Sequence, residues 1–233
     1  TANLAMRTAF FLSIPCAAGL IVFAGPIVDV LFQHGRFAAN PDAAARMARA
    51  LACYTLGLWA VCAAPVTVRV FYAAERARGP VGMSLAMVAV NLVLNLILVW
   101  PLRESGLALA SSITAALNLA GLLCLMRGRY GRIGARAILR GLLKCLAAAV
   151  LAGLAARQAH RALAGSAAVS DILVRLLARL RLPAALFPRA SSLAFLLAGL
   201  GILAIAYLAA VRLMGSREFR EFADGLRRRS RES

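Results

Sequence analysis

Six long apolar runs, each nearly free of charge, constrain this 233-residue chain more than any other feature. A run of roughly 20 apolar residues is the length that an α-helix needs to cross about 30 Å of hydrocarbon. Hydrophobic residues make up 62% of the chain and do not alternate along the runs, so a membrane β-barrel is not indicated. The sequence predicts an all-α polytopic membrane protein whose six transmembrane helices cover 8–32, 46–70, 80–102, 105–126, 138–157 and 190–213.

The net charge of +18 is typical of a nucleic-acid-binding protein, but its distribution along this chain is not. Basic residues lie mainly between and after the apolar runs, where they hold helix ends in the headgroup region. We therefore expect membrane lipids as partners and no nucleic acid. The five cysteines lie inside apolar runs without a CxxC pair, which predicts small buried side chains and neither disulfides nor a metal or other cofactor: Cys16, Cys53, Cys62, Cys124 and Cys145.

The loops between the runs carry unequal numbers of arginines. The loops 71–79 and 127–137 and the tail 214–233 fall on one side of the membrane and hold twelve. The loops 33–45, 103–104 and 158–189 fall on the other side and hold seven. Positively charged loops favour the cytoplasm, so both ends of the chain are predicted to be cytoplasmic.

The basic segment 158–189 is assigned to the outer side and has a pattern of its own. Ser170 and Asp171 can cap a helix that Pro183 ends. Apolar residues recur between them at helical spacing, which predicts a short amphipathic helix lying on the outer membrane surface. A gate or a partner-docking helix is the alternative.

Polar side chains inside the runs are the candidates for a transport pathway. Asn91 and Asn95 lie one turn apart on the third run, and Asn118 lies in the middle of the fourth. In lipid such groups face a neighbouring helix or a water-filled cavity. Hydrogen bonding between helices alone would explain them, at about 1 kcal/mol each, and lining a polar pathway is the functional alternative.

Arg69 lies near the cytoplasmic end of the second run, just before Phe71 and Tyr72. It is either an interfacial anchor within an aromatic belt or a group that binds an anionic headgroup. Prolines occur within the first two runs, at Pro15, Pro26 and Pro65, and we expect each to break its helix.

Catalytic constellations are not evident in the sequence. We find no pair of acids, no Ser/His/Asp set and no phosphate-binding glycine-rich loop. The chain is therefore predicted to carry or bind a substrate and not to be an enzyme.

An ordered set of motifs runs through about 1–126. It consists of Ile14-Pro15, Gly25-Pro26-Ile27, Leu31-Phe32, Gly35, Phe37, Ala50-Leu51, Tyr54, Gly57-Leu58, Arg69, Phe71-Tyr72-Ala73, Pro80-Val81, Asn91, Asn95-Leu96, Gly106-Leu107-Ala108-Leu109-Ala110-Ser111 and Asn118. This set resembles the MurJ (MviN) lipid II flippase family, which belongs to a superfamily of exporters. Related polysaccharide and drug exporters share parts of this set.

The resemblance implies a fourteen-helix flippase of the bacterial inner membrane, of which this chain corresponds to helices nine to fourteen. Residues 1–126 would complete the second lobe, and residues 127–233 would add two helices that guide a lipid tail, the amphipathic periplasmic loop and a basic cytoplasmic tail. The family's cavity arginines, which hold the pyrophosphate, would lie before Thr1. The N-terminal lobe of the same protein is thus an expected partner, and the chain is expected to be a piece of something longer.

The predicted function is part of a flippase that moves a lipid-linked peptidoglycan precursor, lipid II, by alternating access. The predicted substrate is of the undecaprenyl diphosphate type, and the pathway candidates are Asn91, Asn95, Asn118 and Arg69. Two alternatives remain open at this point. One is a related exporter of another lipid-linked oligosaccharide or of drugs, and the other is a non-transporting scaffold for cell-wall enzymes.

Overall fold

A computed structural model describes residues 2–32, 41–73, 78–130, 135–164 and 187–213. Within these ranges the chain forms eight helices and no strand: α1 Ala2–Val22, α2 Ala24–Phe32, α3 Pro41–Thr55, α4 Leu58–Ala73, α5 Arg78–Leu102, α6 Glu104–Tyr130, α7 Ala135–Ala164 and α8 Phe187–Leu213. The all-α prediction is confirmed.

Six segments of the described residues are long and apolar enough to cross a membrane, which confirms the predicted number of spans, although their bounds differ from the predicted ones. They are Ala5–Val22, Asp42–Ala73, Arg78–Leu102, Glu104–Gly128, Gly141–Ala159 and Phe195–Arg212. Helices α3 and α4 together form the second span. The amphipathic helix predicted within 158–189 and the basic tail 214–233 lie outside the described residues.

Helix α6 packs against α3, α4 and α5, while α1 packs against α4 and α7, and α7 lies along α8. The largest core cluster forms where α1 meets α4, α6 and α7, and it includes Phe10, Ala63, Phe71, Leu122 and Ala148. Helix α5 differs from the others, because Pro80 is its only buried residue. Most of its apolar side chains therefore face away from this bundle, towards lipid or towards other protein.

Of the three prolines expected to break their helices, only Pro26 lies beside a break. Pro15 and Pro65 lie inside α1 and α4. The break in the first span lies at Phe23, since Pro26 has no N–H to donate to the Val22 carbonyl. The N–H groups of Phe23 and Ile27 keep their helical bonds, both at 2.9 Å, so this break is mild.

A single residue, Arg103, joins α5 to α6. Its φ of 49° is the only positive value among non-glycine residues in the described ranges, and such a conformation costs about 1–2 kcal/mol. The helices meet closely beside it, because a Cβ on Gly106 would lie 2.1 Å from the Leu98 carbonyl oxygen.

The prediction that all five cysteines are buried is wrong, because only Cys145 is fully buried. Cys145 is buried and Cys53 is half-buried, whereas Cys16, Cys62 and Cys124 are exposed. Thiols are small and weakly polar, so an outward position on a membrane helix has little energetic cost.

Candidate functional site

A ladder of polar side chains connects α5 and α6 near the middle of both helices. The Asn95 side-chain amide donates to Asn91 Oδ1 at 2.9 Å, and the Asn91 amide donates to Thr114 Oγ1 at 3.2 Å. Thr114 in turn donates to the Ala110 carbonyl at 2.8 Å. The structure thus brings two of the predicted site residues together and adds Thr114 to them.

Two carbonyl oxygens at this ladder are buried and lack a hydrogen-bond partner in the described part of the chain. They are Asn95 Oδ1 and Asn118 Oδ1. Asn118 lies one turn beyond Thr114 on α6. An unsatisfied buried acceptor costs about 1–3 kcal/mol, so these oxygens are sites that a donor from a ligand or from another helix would occupy favourably.

Arg69 is not bonded to this ladder. Its side chain is exposed on α4 and makes no hydrogen bond or ion pair with any residue that the structure describes. The choice between an anchor and a headgroup contact stays a prediction for Arg69.

The second span is interrupted at Leu56 and Gly57, and a serine of α6 bonds to the interrupted backbone. The Gly57 N–H donates to Ser112 Oγ at 3.1 Å. The Ser112 hydroxyl donates to the carbonyls of Cys53 and Tyr54, from which Ser112 Oγ lies 2.6 Å and 3.0 Å away. Backbone groups freed within a membrane have to find such partners, and transporters often place breaks of this kind beside a substrate pathway.

Gly57 is required for this contact. A Cβ there would lie 2.6 Å from the Cα of Ser112, which is a backbone atom that cannot move aside cheaply. No proline lies at the break, so the interruption depends on Gly57 and on its partner in α6.

Tyr207 of α8 bonds to a carbonyl of α1 that a proline leaves without its helical partner. Its hydroxyl donates to the Phe11 carbonyl at 3.0 Å, and the two aromatic rings lie 5.7 Å apart. In a regular helix the residue at position 15 would donate to that carbonyl, but Pro15 has no N–H. The last described span is thereby bonded to the first span, one turn before Pro15.

Comparison with known proteins places these features in a family. The family described as lipid II flippase MurJ matches residues 1–178. The chain belongs to this family.

Curated relatives of the MurJ family agree with this assignment. The probable lipid II flippase MurJ of Rhizobium meliloti is 35% identical over 132 residues, which are 56% of this chain and 24% of that protein. The corresponding protein of Rickettsia prowazekii is 33% identical over 117 residues, which are 50% of this chain and 23% of that protein. The lipid II flippase MurJ of Burkholderia cenocepacia is 32% identical over 113 residues, which are 48% of this chain and 22% of that protein. The matches span less than a quarter of each of these relatives.

The region that matches the MurJ family contains α1 to α7, and therefore the asparagine ladder and the interrupted second span. Helix α8, with Tyr207, lies beyond it. Sequence reasoning identified the asparagines but missed Ser112 and Tyr207 as partners of backbone groups. Gly57 was the one available signal, because a glycine in the middle of a span permits a close helix contact.

Proposed function

We propose that this chain is part of a flippase that moves lipid II, the lipid-linked peptidoglycan precursor, across the bacterial inner membrane. The observation that carries the proposal is the match to the MurJ family over residues 1–178, in a chain whose described residues include six helices able to span a membrane. The comparisons do not favour an exporter of another substrate or a scaffold.

Movement of one lobe against the other, around a cavity that admits the diphosphate headgroup, is the mechanism that we propose. The asparagine ladder supports it, because Asn91, Asn95 and Asn118 place amide groups at mid-membrane depth and two of their oxygens lack partners among the described residues. The interrupted second span supports it too, since a break at Gly57 gives that helix a point of bending.

Within this flippase, residues 1–126 would complete the second lobe and residues 127–233 would supply two additional helices. The packing of α7 along α8 and of both against α1 is compatible with such a pair beside a lobe. The first lobe of the same protein would supply the rest of the cavity. We further propose that the C-terminus is cytoplasmic, as the loop charges predict, and that the protein has no enzymatic activity.

The test is a flipping assay with the complete protein in proteoliposomes that contain fluorescent lipid II. Alanine at Asn91, Asn95 and Asn118 together should lower the flipping rate at least tenfold relative to the wild type. Ser111→Ala is the matched control, because the Ser111 hydroxyl bonds within its own helix, to the Leu107 carbonyl at 3.1 Å. Unchanged flipping in the triple variant would reduce the ladder to a packing contact, and no flipping by the wild type would refute the proposed function itself.

A further inference from the structure

A cavity of about 610 Å³ opens at the end of the bundle where α3 begins, α5 ends and α6 begins. Three arginines and two acids line it: Arg46, Arg49, Arg103, Asp42 and Glu104. We call this cavity the arginine basin. Its floor includes Cys53, whose carbonyl accepts the hydrogen bond from Ser112, so the basin lies directly above the interruption of the second span.

The arginines converge from two separate parts of the chain. Asp42, Arg46 and Arg49 follow one another at helical spacing on one face of α3. That face meets the turn in which Arg103 joins α5 to α6. The basin therefore depends on the packing of α3 against α6.

The charges of the basin do not neutralise one another. Arg46 Nε and Glu104 Oε1 lie 3.6 Å apart, and both side chains are well exposed, so their interaction is weak. The side chains of Arg49 and Arg103 make no ion pair or hydrogen bond with any described residue. With three guanidinium groups and two carboxylates, the basin has a surplus of positive charge.

The backbone at Arg103 points to a role for its side chain. A one-residue link with φ near 50° is a position that glycine fills without strain. An arginine there keeps the strain of the left-handed conformation and adds a guanidinium to the basin. Strained backbone that is retained in this way is common at ligand sites.

The depth of the basin indicates which kind of anion reaches it. Trp100 precedes the basin residue Pro101 and is 86% exposed. Exposed tryptophans at the ends of membrane helices lie at headgroup level. Guanidinium groups bind phosphate with two parallel hydrogen bonds, which makes arginine the residue that suits a phosphate at this level.

We propose that the arginine basin binds the phosphate of a lipid headgroup through Arg49 and Arg103. The phosphate belongs either to a membrane glycerophospholipid or to the lipid-linked diphosphate; only the second assignment rests on the proposed flippase function. By the loop charges this end of the bundle is predicted to face outwards, so the site would act on the outer side of the membrane.

Binding of inorganic pyrophosphate to the complete purified protein in an uncharged detergent tests the proposal by calorimetry. Arg49→Gln and Arg103→Gly should each weaken binding at this site about tenfold or more. Arg127→Gln is the matched control, because Arg127 is an exposed arginine at the opposite end of α6. A pyrophosphate site elsewhere in the protein would be the same in all variants, so the difference from the wild type is the quantity to compare.

Arg103→Gly separates ligand binding from folding. This change removes the charge and relieves the strained backbone, so the melting temperature should stay the same or rise while pyrophosphate binding at this site weakens. Pyrophosphate binding that is equal in the wild type, Arg49→Gln and Arg103→Gly would overturn the proposal.

Two further measurements identify the source of the phosphate. If lipid II flipping falls in the same two variants, the phosphate is that of the transported lipid. If flipping is unchanged and native mass spectrometry shows that the variants retain less phosphatidylglycerol, the phosphate is that of a membrane phospholipid. A wild type that binds pyrophosphate but does not flip would contradict the flippase function and leave the basin supported.

Discussion

Replacing Ser112 by alanine tests whether the interruption of the second span is held by a side chain of α6. The change removes the acceptor of the Gly57 N–H at 3.1 Å and the donor to the Cys53 carbonyl at 2.6 Å. The Gly57 N–H keeps a longer bond to the Tyr54 carbonyl at 3.2 Å, so the Cys53 carbonyl is the group most affected. Interhelical hydrogen bonds in membranes contribute about 0.6 kcal/mol on average and up to about 1.7 kcal/mol. Two of them correspond to a loss of about 1–3 kcal/mol in the free energy of unfolding.

The measurement is equilibrium unfolding of the complete protein in lipid bicelles, with Ser112→Ala and Ser111→Ala compared side by side. Ser111 is the adjacent residue of the same helix, and its hydroxyl bonds within α6. Its replacement should change the free energy of unfolding by less than about 0.5 kcal/mol. If the two variants agree within that margin, Ser112 does not stabilise the interruption and the reasoning fails.

Three other substitutions have expected outcomes in the same unfolding measurement. Tyr207→Phe should lower the free energy of unfolding by about 1 kcal/mol. In a Pro15→Ala background the loss should be smaller, because alanine restores the helical donor to the carbonyl that Tyr207 contacts. Equal losses in both backgrounds would contradict this. Gly106→Ala should cost about 3 kcal/mol because its Cβ would lie 2.1 Å from a backbone oxygen, whereas Gly201→Ala, with nothing within 4 Å, should be nearly neutral. Asn118→Leu should raise the free energy of unfolding by about 1 kcal/mol, because it removes a buried oxygen that has no partner among the described residues, and it should lower the flipping rate. A gain in stability without loss of flipping would remove Asn118 from the pathway.

The membrane spans could be predicted because hydrophobic length is a local property of the sequence. The pairing of Asn91 with Asn95 was equally accessible, since residues four apart share a helix face. The bond from Asn91 to Thr114 of α6 could not be predicted, because the register of two helices depends on their packing. Thr114 was only one of several hydroxyl residues in that run.

The features that the sequence did not reveal join residues far apart in the chain. Gly57 and Ser112 are 55 residues apart, and Tyr207 and Phe11 are 196 apart. No periodicity connects such pairs, since each follows from which helices are neighbours. The left-handed conformation of Arg103 could not be predicted for another reason. Glycine or asparagine usually occupies such a position, and here the residue is arginine.

The exposed cysteines also show what the sequence could not predict, namely which face of an apolar helix is buried. An apolar run that is hydrophobic all around does not say which face points inwards. Cys62 and Cys124 were therefore expected to be buried like Cys145, and the packing of their helices decided otherwise.

The two close glycine contacts restrict which distances in this protein can change. Gly57 brings the second span against the backbone of α6, and Gly106 brings α6 against the backbone of α5. Contacts between main chains cannot slide by a change of rotamer, so α6 and the ends that touch it keep a fixed separation. Spectroscopic labels on the exposed Leu85 of α5 and Leu117 of α6 would thus supply an internal length standard, against which movements of α1, α7 and α8 can be measured.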